Sequence, residues 1–135
     1  MMVYVVVDTN VLVSALLSKH SDSSTAIIRK YLFDGIITPL YNNEIYKEYV
    51  DVLHRPKFHL PTEQVEAILE AIAERGLILG RTESNEVFLD PKDVVFYEIA
   101  LSKEGSFLVT GNTKHFPKTP IVVTPAELLE IIENK

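Results

Sequence analysis

The sequence predicts an α/β fold, a central parallel sheet flanked by helices as an α/β/α sandwich, and three observations carry that prediction. Short apolar strand-like runs alternate with segments of helical periodicity to the end of the chain, the pattern of parallel strands joined by right-handed helical crossovers. The 135 residues, 47% hydrophobic and 24% charged, fit one domain over 1–135 with a real core. The first strand, Val3 to Val7, runs straight into Asp8, which sets a carboxylate at the C-terminal edge where α/β sheets bind their ligands.

Residues 2 to 8 read as a strand and 10 to 18 as a short helix capped by Thr9 or Asn10. A helix over 23 to 33 begins with a hydroxyl cap and stops at Gly35, and 36 to 39 form a short buried strand. Helices follow over 42 to 53, ending near Pro56, and over 62 to 75, opened by Thr62-Glu63 and closed by Gly76. Strands at 77 to 79, 106 to 110 and 121 to 123 then alternate with helices at 91 to 103 and 125 to 133. The polar stretch 81 to 86 is the one candidate for a longer loop, and there is no repeat, low-complexity tract or linker.

Composition removes several classes. Without cysteine there is neither a disulfide framework nor a thiolate site, so a metal would need oxygen or imidazole ligands. No apolar run approaches the ~20 residues of a membrane span, and the run before Asp8 is too short for a secretory signal. A cytoplasmic protein with no membrane partner is expected. The net charge of -6 argues against charge-driven coating of nucleic acid, although phosphates meet local patches rather than net charge.

A lone acid makes no site, and the candidates to join Asp8 lie in three segments. On the 42 to 53 helix, Ile45, Tyr49 and Val52 form the buried stripe. At ~100° per residue Glu48 lies ~60° from Ile45, Glu44 ~100° and Asp51 ~120°, so Glu48 borders the core most closely while Glu44 reads as a solvated acid. In Asp90-Pro91-Lys92-Asp93, Asp90 is explained as a helix N-cap. Asp93 falls in line with Phe96 and Ala100, hence partly desolvated and in want of a cation; a charge favouring the helix dipole is its structural alternative. The strand 106 to 110 ends in Thr110-Gly111-Asn112, polar groups beside the other strand ends, where Asn112 could equally be a turn residue.

Taken together, Val7 to Leu17, Leu53-His54-Arg55-Pro56-Lys57-Phe58, Asp90-Pro91-Lys92-Asp93 and Val109-Thr110-Gly111-Asn112 resemble, in this order, a PIN-domain protein of the VapC toxin ribonuclease type. The resemblance covers nearly the whole chain. It implies a metal-dependent ribonuclease using Mg²⁺ or Mn²⁺ on Asp8, Glu48 and Asp93, with Thr110 or Asn112 orienting water or a phosphate oxygen. Cleavage would leave a 3′-hydroxyl and a 5′-phosphate. The family often has a fourth acid where this chain has Asn112, which lowers the charge available to a hard cation. Arg55, Lys57, Lys114 and His115, with Lys118, are expected to rim the pocket and meet RNA phosphates. The resemblance further implies an antitoxin partner and a homodimer. Two alternatives stand beside it: a PIN-fold binding module with a weakened metal site, and a receiver-like domain, which lacks its paired acids here because Asp8 is alone.

Overall fold

The computed structural model describes residues 2–134. Five strands, β1 (Val3–Val7), β2 (Ile37–Tyr41), β3 (Leu77–Ile78), β4 (Phe107–Val109) and β5 (Val122–Val123), form one parallel sheet in the order β3-β2-β1-β4-β5. Six helices flank it: α1 (Thr9–Leu17), α2 (Ser24–Asp34), α3 (Asn43–Leu53), α4 (Thr62–Arg75), α5 (Pro91–Leu101) and α6 (Pro125–Glu133). The α/β architecture expected from the alternation is therefore the one observed.

Val5, Val6 and Val7 are all fully buried. Successive strand residues face opposite sides, so helices cover both faces of the central strand. Each buried valine contributes roughly 1.5–3 kcal/mol relative to exposure. The core continues through Ile37 and Leu40 of β2, Ile45 and Tyr49 of α3, Ile68 and Ile72 of α4, Phe96 and Ile99 of α5, and Leu108 of β4.

Local chemistry explains most boundaries. Ser23 caps α2 by accepting from the Ala26 amide, and Gly35 ends it in the left-handed conformation (φ 80°), which glycine adopts at no steric cost. Asn42 caps α3 through the Ile45 amide, Asp90 caps α5 through the Lys92 amide with Pro91 in the first turn, and Thr124 and Glu127 close a capping box on α6. At Gly76 a Cβ would meet the Ile72 carbonyl oxygen at 2.6 Å and that of Pro39 at 2.8 Å, so glycine alone lets α4 turn into β3 against β2.

Five local expectations differ from the structure. Thr62 and Glu63 stand in the first turn of α4 rather than capping it, since the cap position is Pro61 and no side chain bonds there. The α1 cap position belongs to Asp8, not Thr9 or Asn10, and Asp8 makes no side-chain cap there because its carboxylate is used elsewhere. β2 runs through Pro39 to Tyr41; the missing Pro39 N–H is tolerated because pairing with β3 starts only at Leu40. Residues 56–58 and 113–115 form single 3₁₀ turns, too short to leave a periodic signal. Between β3 and α5, residues 79 to 90 form no helix or strand, a longer connection than 81 to 86.

Candidate active site

The chain steps from β1 to β2 and β3 on one side of the sheet and returns to β4 and β5 on the other. The C-terminal ends of β1 and β4 therefore bound the topological switch point, where open parallel sheets have their crevice. Asp8 follows β1 and is 8% exposed; Thr110 follows β4 and is fully buried. The Thr110 hydroxyl donates to Asp8 Oδ2 at 2.7 Å and accepts from the Asn112 amide at 3.0 Å. Asn10 reinforces the join, its Nδ2 donating to Asp8 Oδ2 at 3.3 Å and its Oδ1 accepting from the Gly111 amide at 3.1 Å. Burial raises the pKa of Asp8, the Thr110 bond and the Thr9 amide oppose that, and the Glu48 charge adds to it.

Thr110→Val keeps the shape but removes the donor from a buried carboxylate. The expected cost is about 1–3 kcal/mol at pH 7, with a further rise in the Asp8 pKa. Urea unfolding together with carboxyl titration by NMR checks both.

The three acids of α3 separate clearly. Glu48 accepts a hydrogen bond from the Thr9 hydroxyl, next in sequence to Asp8. Glu44 is instead gripped by Arg81, whose Nη1 donates to both of its carboxylate oxygens at 3.0 and 3.1 Å. Asp51 pairs with Arg55 at 2.8 Å on the exposed side of the helix. Two residues thus fix Glu48: Thr9, and the adjacent Tyr49, whose fully buried hydroxyl donates to the Val7 carbonyl at the end of β1. Burial first, and then the charges of Asp8 and Glu48, keep the Tyr49 phenol far above its usual pKa and so protonated.

Asp93 stands in the first turn of α5 with its side chain 16% exposed. Its Oδ2 is buried without a hydrogen-bond partner, and His115 Nδ1 is 3.6 Å away, beyond bonding distance. Burial, followed by the charges of Asp8 and Asp90, lifts the Asp93 pKa from 3.8 to about 6, with His115 opposing. An ion held by carboxylates relieves such repulsion, whereas none of the neighbouring acids does.

The structure thus gathers Asp8, Thr110, Asn112 and Asp93 around the β1 and β4 ends, with Glu48 reaching in through Thr9. The expected RNA-binding cations are dispersed. Arg55 lines a groove of about 860 Å³ together with Thr9, Asn10 and Glu48. Lys57 lies over the Phe58 ring, 5.1 Å from its centroid, and Phe58 lines the same groove. Lys114 and Lys118 border a different cavity beside Glu127. His115 turns to Asp93 and Asn112. Groove residues not foreseen are Lys47, Arg81 and Lys92. Asn10, likewise unforeseen as a site residue, had a signal in its place two residues after Asp8; Lys47 and Lys92, each adjacent to a candidate acid in sequence, had only that.

A family model described as PIN domain matches residues 4–114, and the chain belongs to the PIN-domain family. PIN domains are generally nucleases. No curated protein and no solved structure gives a significant match. No helix among the described residues is long and apolar enough to cross a membrane. Among the described residues no three His, Asp or Glu side chains converge closely enough to hold an ion as they stand; Asp8 and Glu48 accept from the Thr110 and Thr9 hydroxyls. The donor set nonetheless fits a hard divalent cation: oxygen ligands throughout, and one buried carboxylate oxygen that no donor satisfies.

Proposed function

We propose that this chain is an endoribonuclease of the VapC type, hydrolysing RNA phosphodiester bonds with Mg²⁺ or Mn²⁺. The observation that carries this reading is the buried, unsatisfied Asp93 oxygen, near enough to Asp8 for the two charges to repel. Asp8 and Asp93 would be the main ligands, with Glu48 completing the set directly or through water. The ion, when bound, lowers the pKa of a water to make it a nucleophile and stabilises charge on the phosphate. Thr110 fixes one Asp8 oxygen. Asn10 ties the β4 loop to the same carboxylate. Lys47, Arg55 and Lys92 give the groove cations for phosphates flanking the scissile bond. The sequence motifs support the further proposals of a toxin role, an antitoxin partner that covers the groove, and a homodimer.

The replacement of the family's fourth acid by Asn112 favours one second reading, an RNA-binding module with a weakened cation site. A panel of structured and single-stranded RNAs incubated with Mn²⁺, Mg²⁺ or EDTA separates the two. Cleavage is expected with either ion and absent in EDTA, with products bearing 5′-phosphates, and Glu48→Gln lowers the rate by at least ~10²-fold. Cleavage that persists in EDTA would defeat the metal-dependent reading. RNA binding without cleavage in any condition would select the binding module.

A further inference from the structure

Beside Asn112, where the family often has a fourth acid, stands a second side chain able to ligate, His115. The 3₁₀ turn 113–115 swings its imidazole back over the β4 end. There Nδ1 faces Asp93 Oδ2 at 3.6 Å and Nε2 lies 3.0 Å from the Asn112 amide nitrogen. A separation of 3.6 Å is too long for a hydrogen bond, and Asp93 Oδ2 has no other partner although it is buried. It is the separation that two ligands of one ion adopt: atoms each about 2.1 Å from a cation and about 90–120° apart lie roughly 3.0–3.6 Å from each other.

We infer that His115 is a metal ligand, its Nδ1 joining Asp93 in place of the family's fourth carboxylate, and that the site consequently favours Mn²⁺ over Mg²⁺. This rests on the metal-dependent reading above. An imidazole that ligates through Nδ1 must carry its proton on Nε2 and give it to an acceptor, the arrangement that orients metal-bound histidines generally. Asn112 supplies that acceptor: with Oδ1 rather than Nδ2 toward the ring, its amide takes the Nε2 proton from the same place. An aspartate at 112 would serve as a ligand itself; an asparagine serves as the prop for one. The pair therefore exchanges a hard oxygen for a nitrogen donor. Mg²⁺ holds to oxygen and keeps its waters, whereas Mn²⁺ opens the first-row series along which affinity for a nitrogen donor rises.

The decisive measurement is pulsed electron paramagnetic resonance of the Mn²⁺-loaded protein, which reads nitrogen bound directly to the ion independently of catalysis. Wild type is expected to show the ¹⁴N modulation of a coordinated imidazole, and His115→Gln to lose it. In calorimetric titrations His115→Gln weakens Mn²⁺ binding about 10-fold or more and Mg²⁺ binding far less, whereas His115→Asp shifts preference back toward Mg²⁺. A histidine that merely steadies Asp93 would move both ions alike. Mn²⁺ bound with no nitrogen modulation in wild type, or an unchanged Mn²⁺/Mg²⁺ ratio in His115→Gln, would overturn the inference and leave the metal-dependent reading intact. Folded wild-type protein that binds no Mn²⁺ would overturn both.

Discussion

Asp93→Asn is expected to abolish activity, by about 10³-fold or more, while making the metal-free protein more stable. Both effects have one origin. In the folded chain the Asp93 carboxyl has its pKa raised to about 6 by burial and by the charges of Asp8 and Asp90, against 3.8 when free of them. Between these values the folded state binds more protons than the unfolded one, so stability falls as pH rises from about 4 through 6. Above that range the ionised carboxylate is a standing penalty. That rise in pKa corresponds to about 3 kcal/mol, which solvent screening of the partly exposed carboxyl reduces to about 1–2 kcal/mol. The neutral amide removes the penalty at pH 7–8 and removes nothing below pH 4, where wild type is protonated already. Denaturant unfolding in EDTA at pH 4, 6 and 8 should show the gap between variant and wild type opening with pH. Saturating Mn²⁺ should then reverse the order, since a ligand at 100 times its Kd stabilises wild type by about 2.7 kcal/mol. An Asp93→Asn protein less stable than wild type at pH 8 in EDTA would mean that the carboxylate serves the helix start rather than a cation.

That Asp93 was legible at all reflects how local its signals are. Asp90-Pro91-Lys92-Asp93 states the start of α5 in four residues, and the 3.6-residue period then puts Asp93 on the buried side; nothing distant is needed. Asp8 was equally accessible, as the last residue of an apolar run. Helical angles set Glu48 nearer the core than Glu44 without deciding the matter by themselves, and the structure supplies a reason the angles cannot: Glu44 is held by Arg81, 37 residues on. Contacts of that kind were out of reach. The direction of His115 depends on a three-residue turn with no periodicity, and the grouping of Lys47 with Lys92 depends on α3 lying beside α5. Proximity along the chain places Lys114 near a motif and so near the site, while the fold sends it to another cavity.

Glu98→Ala is expected to be the most damaging single truncation of a charged side chain, costing about 2–3 kcal/mol. Glu98 lies on α5 with its side chain 7% exposed, among apolar neighbours that gave no hint of its purpose. One of its oxygens accepts from Arg81 Nε at 2.7 Å and the other from the Ser84 amide at 2.8 Å; its own carbonyl accepts from the Thr82 amide at 3.3 Å. It therefore fastens residues 81 to 84 to α5, and through Arg81 it fastens Glu44 as well. Burial works to raise its pKa, but the Ser84 amide and Arg81 outweigh burial and hold the carboxyl below its usual range. Its contribution is consequently full above about pH 4.5 and is lost as pH falls through the lowered value. Glu98→Gln, which can still accept from Ser84, should lose about half as much. Amide exchange at Thr82 and Ser84 should accelerate in Glu98→Ala before global unfolding does, because the anchor is local. In the same variant Arg81 loses its buried partner and is left with Glu44 at the groove, beside Glu48, so activity should fall several-fold without loss of the metal. A Glu98→Ala protein within 0.5 kcal/mol of wild type, or one whose Thr82 and Ser84 amides exchange no faster, would show that the connection to α5 is held by something other than this carboxylate.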